Sequence, residues 1–158
     1  MATNYSTPLY AQAQPAGTGH GFYQITQHIH ATTGSIPTWA INDVINFGYL
    51  PRNAIVASMV LKAASQLDSN GTPTLTLDMG VPGTPQLFKA AISTVGRAAG
   101  ASADIGTGLS AGGYLYKNTT GAKQAIVCTV HAAAATAVAG TLELDVEFYV
   151  EDTPGSNP

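Results

Sequence analysis

His28-Ile29-His30 places two metal-competent side chains two residues apart. On a strand both imidazoles share a face, about 7 Å apart along it, a spacing some zinc sites use. A complete site needs further ligands, from His131, His20 or a carboxylate, and no local spacing supplies them. Two exposed histidines on a wetted strand face is the favoured reading, and no metal is expected. Asp68-Ser69-Asn70-Gly71 resembles the opening of a calcium loop, but Thr72, Thr74 and Thr76 stand where further acidic ligands are needed. Cys128 and His131 form a possible thiol–imidazole pair only by proximity in the chain, since residues three apart on a strand point to opposite faces. There is no Gly-x-Ser-x-Gly elbow for a serine nucleophile, and no Gly-x-x-x-x-Gly-Lys-Ser/Thr for phosphate. Gly106-Thr107-Gly108 and Gly112-Gly113 lack a following helix and a charge partner. Catalysis needs ionisable groups gathered in a cleft; here they are few and scattered, so neither an enzyme nor a cofactor is expected. Trp39, Tyr49, Tyr114, Tyr116 and Tyr149 keep open a sugar-binding module, although aromatics total only 8%.

The elements carrying these residues read as strands. Gly140 to Val150 alternates strictly: Leu142, Leu144, Val146, Phe148 and Val150 on one face, Glu143, Asp145, Glu147 and Tyr149 on the other. A period of two marks a strand with one buried and one wetted side. A first strand begins at Phe22, with Tyr23, Ile25 and Ile29 inward, and Gly34-Ser35-Ile36-Pro37 turns the chain. A second spans Val44 to Leu50, ended by Pro51. Ile55 to Leu67 is apolar on both rows, as a doubly covered central strand would be. Asn70-Gly71 predicts a hairpin into Leu75, Leu77 and Met79. Thr84-Pro85 can open a helix, so one short helix or a long loop is expected there. Ala98 to Gly113 reads as a loop, Gly113 to Lys117 as a strand turned at Asn118 to Gly121, and Gln124 to His131 as the penultimate strand. Ala132 to Ala139 is too short for a stable isolated helix, and its position favours a hairpin connection to the last strand.

Seven or eight strands with such turns predict an all-β, antiparallel β-sandwich with at most one short helix. It spans residues 22–151, preceded by an extended N-terminal arm (1–21) and followed by a flexible tail (152–158). Within the arm Tyr5, Leu9 and Tyr10 are the large apolar groups and the candidate contacts to a neighbouring subunit.

At 158 residues one domain buries roughly 70% of its unfolded surface, so no disulfide or metal staple is needed. Charged residues make up 9%, where soluble domains carry about 25%. The exterior is therefore covered by Thr, Ser, Asn, Gln, Gly and Ala. Charge is depleted at interface cores, which favours an assembly over a merely neutral soluble surface. The net charge is −3 and the six basic residues are scattered, which argues against nucleic acid. One cysteine excludes an internal disulfide. The first residues show no secretory signal, and no run approaches the ~20 apolar residues that span a membrane.

Three stretches together resemble the head decoration, or cement, proteins of tailed bacteriophages. One is Asn42 to Ile45 leading through Leu-Pro-Arg-Asn-Ala-Ile-Val (Leu50 to Val56). Another is the Asn-Gly turn into Thr-Leu-Thr-Leu-Asp-Met-Gly (Thr74 to Gly80). The third is Gly-Tyr-Leu-Tyr (Gly113 to Tyr116), followed by Gln124 to Thr129 and the terminal alternating strand. The resemblance implies a jelly-roll-like sandwich on the outer surface of an icosahedral capsid. It also implies a homotrimer, made in the bacterial host cytoplasm, that bridges phage major capsid proteins and has no catalytic residues. The rival readings are a phage tail or head-fibre component touching the host surface, and a carbohydrate- or metal-binding module.

Overall fold

A computed structural model of the chain describes residues 4–6, 10–12, 27–105 and 115–150. These form eleven strands: β1 (Asn4–Ser6), β2 (Tyr10–Gln12), β3 (Gln27–Thr32), β4 (Val44–Leu50), β5 (Ala54–Ala63), β6 (Thr76–Val81), β7 (Thr84–Ile92), β8 (Ser102–Asp104), β9 (Tyr116–Lys117), β10 (Gln124–Ala132) and β11 (Leu142–Val150). Sheet A runs in the order β1-β4-β10-β6-β7 and sheet B in the order β2-β3-β11-β5-β8, with β9 beside β5. All pairings are antiparallel except β1 on β4.

With β1 and β2 set aside, the chain steps from β3 in sheet B to β4 in sheet A, to β5 in B and to β6 in A. The two four-stranded orders, β4-β10-β6-β7 and β3-β11-β5-β8, are those of a jelly roll. The predicted all-β sandwich is therefore present, and no helix forms among the described residues.

The inner rows make one core. Leu142, Leu144, Val146 and Phe148 of β11 face Ile45 and Phe47 of β4, Leu77 and Met79 of β6, and Ile126, Cys128 and Val130 of β10, all at most 2% exposed. The terminal alternation is thus buried on the side expected. In β5 the inward row changes parity. Ala54 and Val56 are buried before Ala57, and Met59, Leu61 and Ala63 after it. The register with β11 slips there, where Glu147 partners Ser58 and Phe148 partners Val56. The extra residue is a β-bulge that turns the strand over. It explains why both sequence rows of this strand are apolar.

Several local expectations are corrected. The Asn70-Gly71 turn is not a hairpin, because β5 and β6 lie in different sheets and the turn crosses the end of the sandwich. Ala132 to Ala139 likewise links β10 in sheet A to β11 in sheet B, and is a crossover, not a hairpin. Thr84-Pro85 opens strand β7, not a helix or loop. The Ala98 to Gly113 stretch includes β8, paired to Val60–Lys62. The expected strand positions Tyr23 and Ile25 lie outside the described residues.

Buried polar groups hold the crossovers. Asp68, 0% exposed, accepts backbone N–H groups from Asn70, Thr74 and Leu75 of its own crossover, and from Ala135 and Thr136 of the other. The Trp39 indole N–H donates to the Val138 carbonyl at 2.9 Å, pinning the same end. At the opposite end buried Asn118 donates its amide to the carbonyls of Pro51 and Ala122 and accepts from Thr120. Gly121, at φ 75°, completes that turn.

Candidate assembly faces

The two outer faces of the sandwich differ in chemistry. On sheet B, β3 and β11 align in a cross-strand ladder: His28 opposite Glu147, and His30 opposite Asp145. His30 Nδ1 lies 2.5 Å from Asp145 Oδ1, and Lys62 of β5 donates to the other Asp145 oxygen at 2.7 Å. Ser58 donates to Glu147 at 3.0 Å. Burial pushes the Asp145 carboxyl up, but hydrogen bonds and charge from Lys62 and His30 outweigh it and hold the group below its ordinary value. The Asp145 hydrogen bond and charge in turn raise Lys62. With Glu143 on the same row, this face is a wetted, ion-paired surface.

Sheet A is different. Along β4, β6 and β10 the outward row carries one charged group among the described residues, Asp78, and it is buried, at 3% exposed. Its carboxylate accepts the Ala91 N–H at 2.7 Å and the Gln86 amide at 2.9 Å, and the His131 ring stands 2.9 Å away. Desolvation raises this carboxyl; the Ala91, Gln86 and His131 contacts outweigh that and lower it. Asp78 thus works as a latch, tying β7 down onto β6 and β10. The latch is needed because β7 bulges: Met79 pairs with Lys89 but Val81 with Thr84. The start of β7 lies over Gly80, where any Cβ would overlap the Thr84 and Pro85 backbone.

The bulged β7 and the β4–β10 surface border a groove of about 460 Å³. Its walls are Val44, Val81, Pro82, Pro85 and Val127, and Asn42, Asn46 and Thr129 add neutral polar groups. Val81 and Val127 are 8% and 5% exposed, yet they lie outside the central core cluster. They line the groove instead.

The four long sides of the sheets are treated unequally. On one side Phe88 packs edge-on against Tyr116, ring centroids 5.3 Å apart, and Lys89 donates to the Asp104 carbonyl, so side chains seal β7 to β8 and β9. On the opposite side β1 pairs along Val44–Asn46 and β2 along His28–His30. Tyr5 is placed in register with Ile45, and Tyr10 with His30. Leu9 lies outside the described residues.

The other sequence candidates separate. His28 and His30 are exposed, with side chains 63% and 59% accessible, and each meets a carboxylate. No group of three or more metal-competent side chains converges among the described residues. Cys128 is fully buried while His131 faces outward, so the thiol and imidazole do not meet. Asp68 spends its carboxylate on backbone N–H groups instead of a cation. Trp39 is core, Tyr116 meets Phe88 edge-to-face, and Tyr49 lies under Lys123 with the ammonium 4.6 Å from the ring centroid. Tyr114 lies outside the described residues. The Asp78–Gln86–His131 latch and the groove were not foreseen. The residues of the latch are eight and fifty-three positions from Asp78, and only the sheet order brings them together.

No family model matches the chain, and no curated protein matches it. Solved structures do, among them two phage capsids. A chain of the "Capsid of Ralstonia phage GP4" is 23% identical with a TM-score of 0.67, over 90% of this chain and 93% of that one; this likeness shows the shared fold. A chain of the "Cyanophage Pam1 capsid asymmetric unit" is 30% identical with a TM-score of 0.62, over 89% of this chain and 95% of that one. At that identity across nearly both full lengths, this chain belongs to the same family as the cyanophage capsid chain and is a phage capsid-related protein.

Proposed function

We propose that the chain is a decoration, or cement, protein, which binds the outer surface of an icosahedral phage capsid as a homotrimer and stabilises contacts between major capsid proteins. The observation that carries this reading is the near full-length kinship with a phage capsid chain. The jelly-roll sandwich, the neutral face of sheet A and the low overall charge support it. Its location is the virion, and its work is structural, with no reactive group required.

The mechanism is mass action. A copy that binds the assembled shell, and not its dissociated parts, adds about 2.7 kcal/mol to the assembled state when its free concentration is a hundredfold above Kd. Three copies joined as a trimer multiply modest contacts, because the second and third act at high effective concentration. In this reading residues 1–21 are a docking arm that runs along the sandwich through the β1–β4 and β2–β3 pairings, with Tyr5, Leu9 and Tyr10 as its anchors. Residues 22–151 are the sandwich and 152–158 a tail.

The test uses phage particles freed of the protein. Purified full-length chain should rebind the shell, visible as density on the outside in a particle reconstruction, and should raise the temperature at which particles release DNA. A variant lacking residues 1–21 should keep the sandwich but rebind more weakly. Density at the tail, or none on the shell, overturns the decoration reading. Unchanged occupancy by the deletion variant overturns the arm.

A further inference from the structure

We propose that the outer face of sheet A is the surface that sits on the capsid, and that its groove receives a neutral, extended segment of the underlying shell subunit. This rests on the capsid-binding reading above and assigns its contact face.

The first argument is the partition of charge. His28, His30, Lys62, Glu143, Asp145 and Glu147 all lie on the strands of sheet B, and those of them that pair do so with one another at the surface. Such a face keeps its hydration in solution and would lose it under a partner. Among the described residues the outward row of β4, β6 and β10 offers one carboxylate, Asp78, and its charge is already met by Ala91, Gln86 and the His131 of the same row. Covering the part of sheet A around the groove therefore strips no free ion of water; Lys123, over the Tyr49 ring, stands toward the far end of β4. Covering sheet B would desolvate two carboxylate–histidine rungs, and each ion buried carries a penalty that its partner only partly returns.

The second argument is shape. Interface cores are apolar and charge-poor, with a polar rim. The groove has that anatomy, with valine and proline walls and the amides of Asn42 and Asn46 beside them. Among the described lining residues a charged occupant would find no counter-ion. An extended neutral segment would bury its side chains against Val44 and Val127, and its peptide groups could hydrogen-bond the asparagine amides.

The third argument separates the shell from a second copy. Two copies joined through the same face form an isologous pair, which closes as a dimer. A trimer needs two different patches on each protomer. Sheet A packed on sheet A therefore cannot build the trimer.

The experiment places charge in the groove. Val44→Lys and Thr129→Lys change half-buried, outward positions where a lysine can reach water and the fold is retained. Glu147→Lys and Lys62→Glu change the face of sheet B. Each variant is checked for folding by circular dichroism and for oligomeric state by light scattering, then titrated onto stripped particles beside the wild-type chain. Both groove variants should lose at least tenfold in shell affinity, while both sheet B variants stay within twofold. Groove variants that bind like the wild type, or a loss confined to the sheet B variants, would overturn the assignment. So would a change of oligomeric state in the groove variants, which would make a second copy the occupant. Failure of the wild-type chain to bind would instead sink the decoration reading itself.

Discussion

Asp68 and Thr136 are 68 positions apart in the chain, and the Asp68 carboxylate accepts the Thr136 N–H at 3.0 Å. One buried side chain thereby ties the β5–β6 crossover to the β10–β11 crossover, because Ala135, Thr74, Leu75 and Asn70 donate to the same group. Jelly-roll winding leaves long links at the ends of the sandwich, and their backbone donors need acceptors once buried. Asp68→Ala removes the acceptor and keeps the donors. It should lower unfolding stability by about 3 kcal/mol or more, measured by urea titration. A loss below about 1 kcal/mol would show that water replaces the carboxylate at no great cost.

The same group sets an acid limit. Burial raises the Asp68 carboxyl, but the N–H groups of Thr136, Ala135, Leu75 and Thr74 outweigh that and hold it far below the usual carboxylate range. Asp78 and Asp145 are also lowered. A depressed folded value means that the unfolded chain takes up protons first as pH falls. The stabilisation is complete above the unfolded value near 3.9 and drains away below it. Thermal midpoints should be level from pH 7 to about 5 and fall below about 4. In Asp68→Ala the acid slope should be shallower. An equal slope would place the acid sensitivity elsewhere.

Gly80 carries a separate prediction. A methyl there meets the backbone of Thr84 and Pro85, not the yielding end of a side chain. Gly80→Ala should therefore push the start of β7 outward and cost about 1–3 kcal/mol. It should also disturb the Pro82 and Pro85 wall of the groove, so shell affinity should fall with stability. Gly34→Ala is the control: nothing lies within 4 Å of its added Cβ. Equal stability in both variants would mean that β7 moves aside freely.

How far the sequence reveals this molecule depends on the range of the interaction. The terminal strand was legible because Leu142 to Phe148 alternate without interruption and every second residue is buried. The end of β4 was legible because Pro51 follows it. Asn70-Gly71 misled because its turn preference is local, while the jelly roll sends β5 and β6 to different sheets. Thr84-Pro85 misled in the same way: its helix-start signal is outweighed by pairing with β6 and by the Asp78 latch. The parity change at Ala57 left a trace, two apolar rows in one strand, but a bulge and a doubly covered strand share that pattern. The neutral surface could be read from composition. Its confinement to sheet A could not, because it depends on which strands lie side by side.

The histidine ladder should matter little to stability. His28 and His30 pair with Glu147 and Asp145 at exposed positions, where an ion pair is worth roughly 0–1 kcal/mol. His28→Ala and His30→Ala should each shift the urea midpoint slightly, and the shift should shrink in 0.5 M salt as screening takes over. A large loss, or zinc retained by the wild-type chain and released by either variant, would make the pair a metal site after all.

Cys128 supplies a reporter for the core. It lies on the inner row of β10, in register with Ile45 on one side and Met79 on the other, and it is 0% exposed. Burial, followed by the negative charge of Asp78, pushes the thiol well above its ordinary value. A neutral, enclosed thiol is a poor nucleophile. Native protein mixed with a maleimide at pH 7.5 should label only as fast as the sandwich opens, and urea beyond the midpoint should release one reactive thiol per chain. Asp68→Ala should speed native labelling in proportion to its loss of stability, provided that opening is global. Prompt labelling of an otherwise intact sandwich would mean that β10 separates from β4 or β6 locally. The outward row of that same strand lines the groove, so such an opening would also loosen the proposed shell contact.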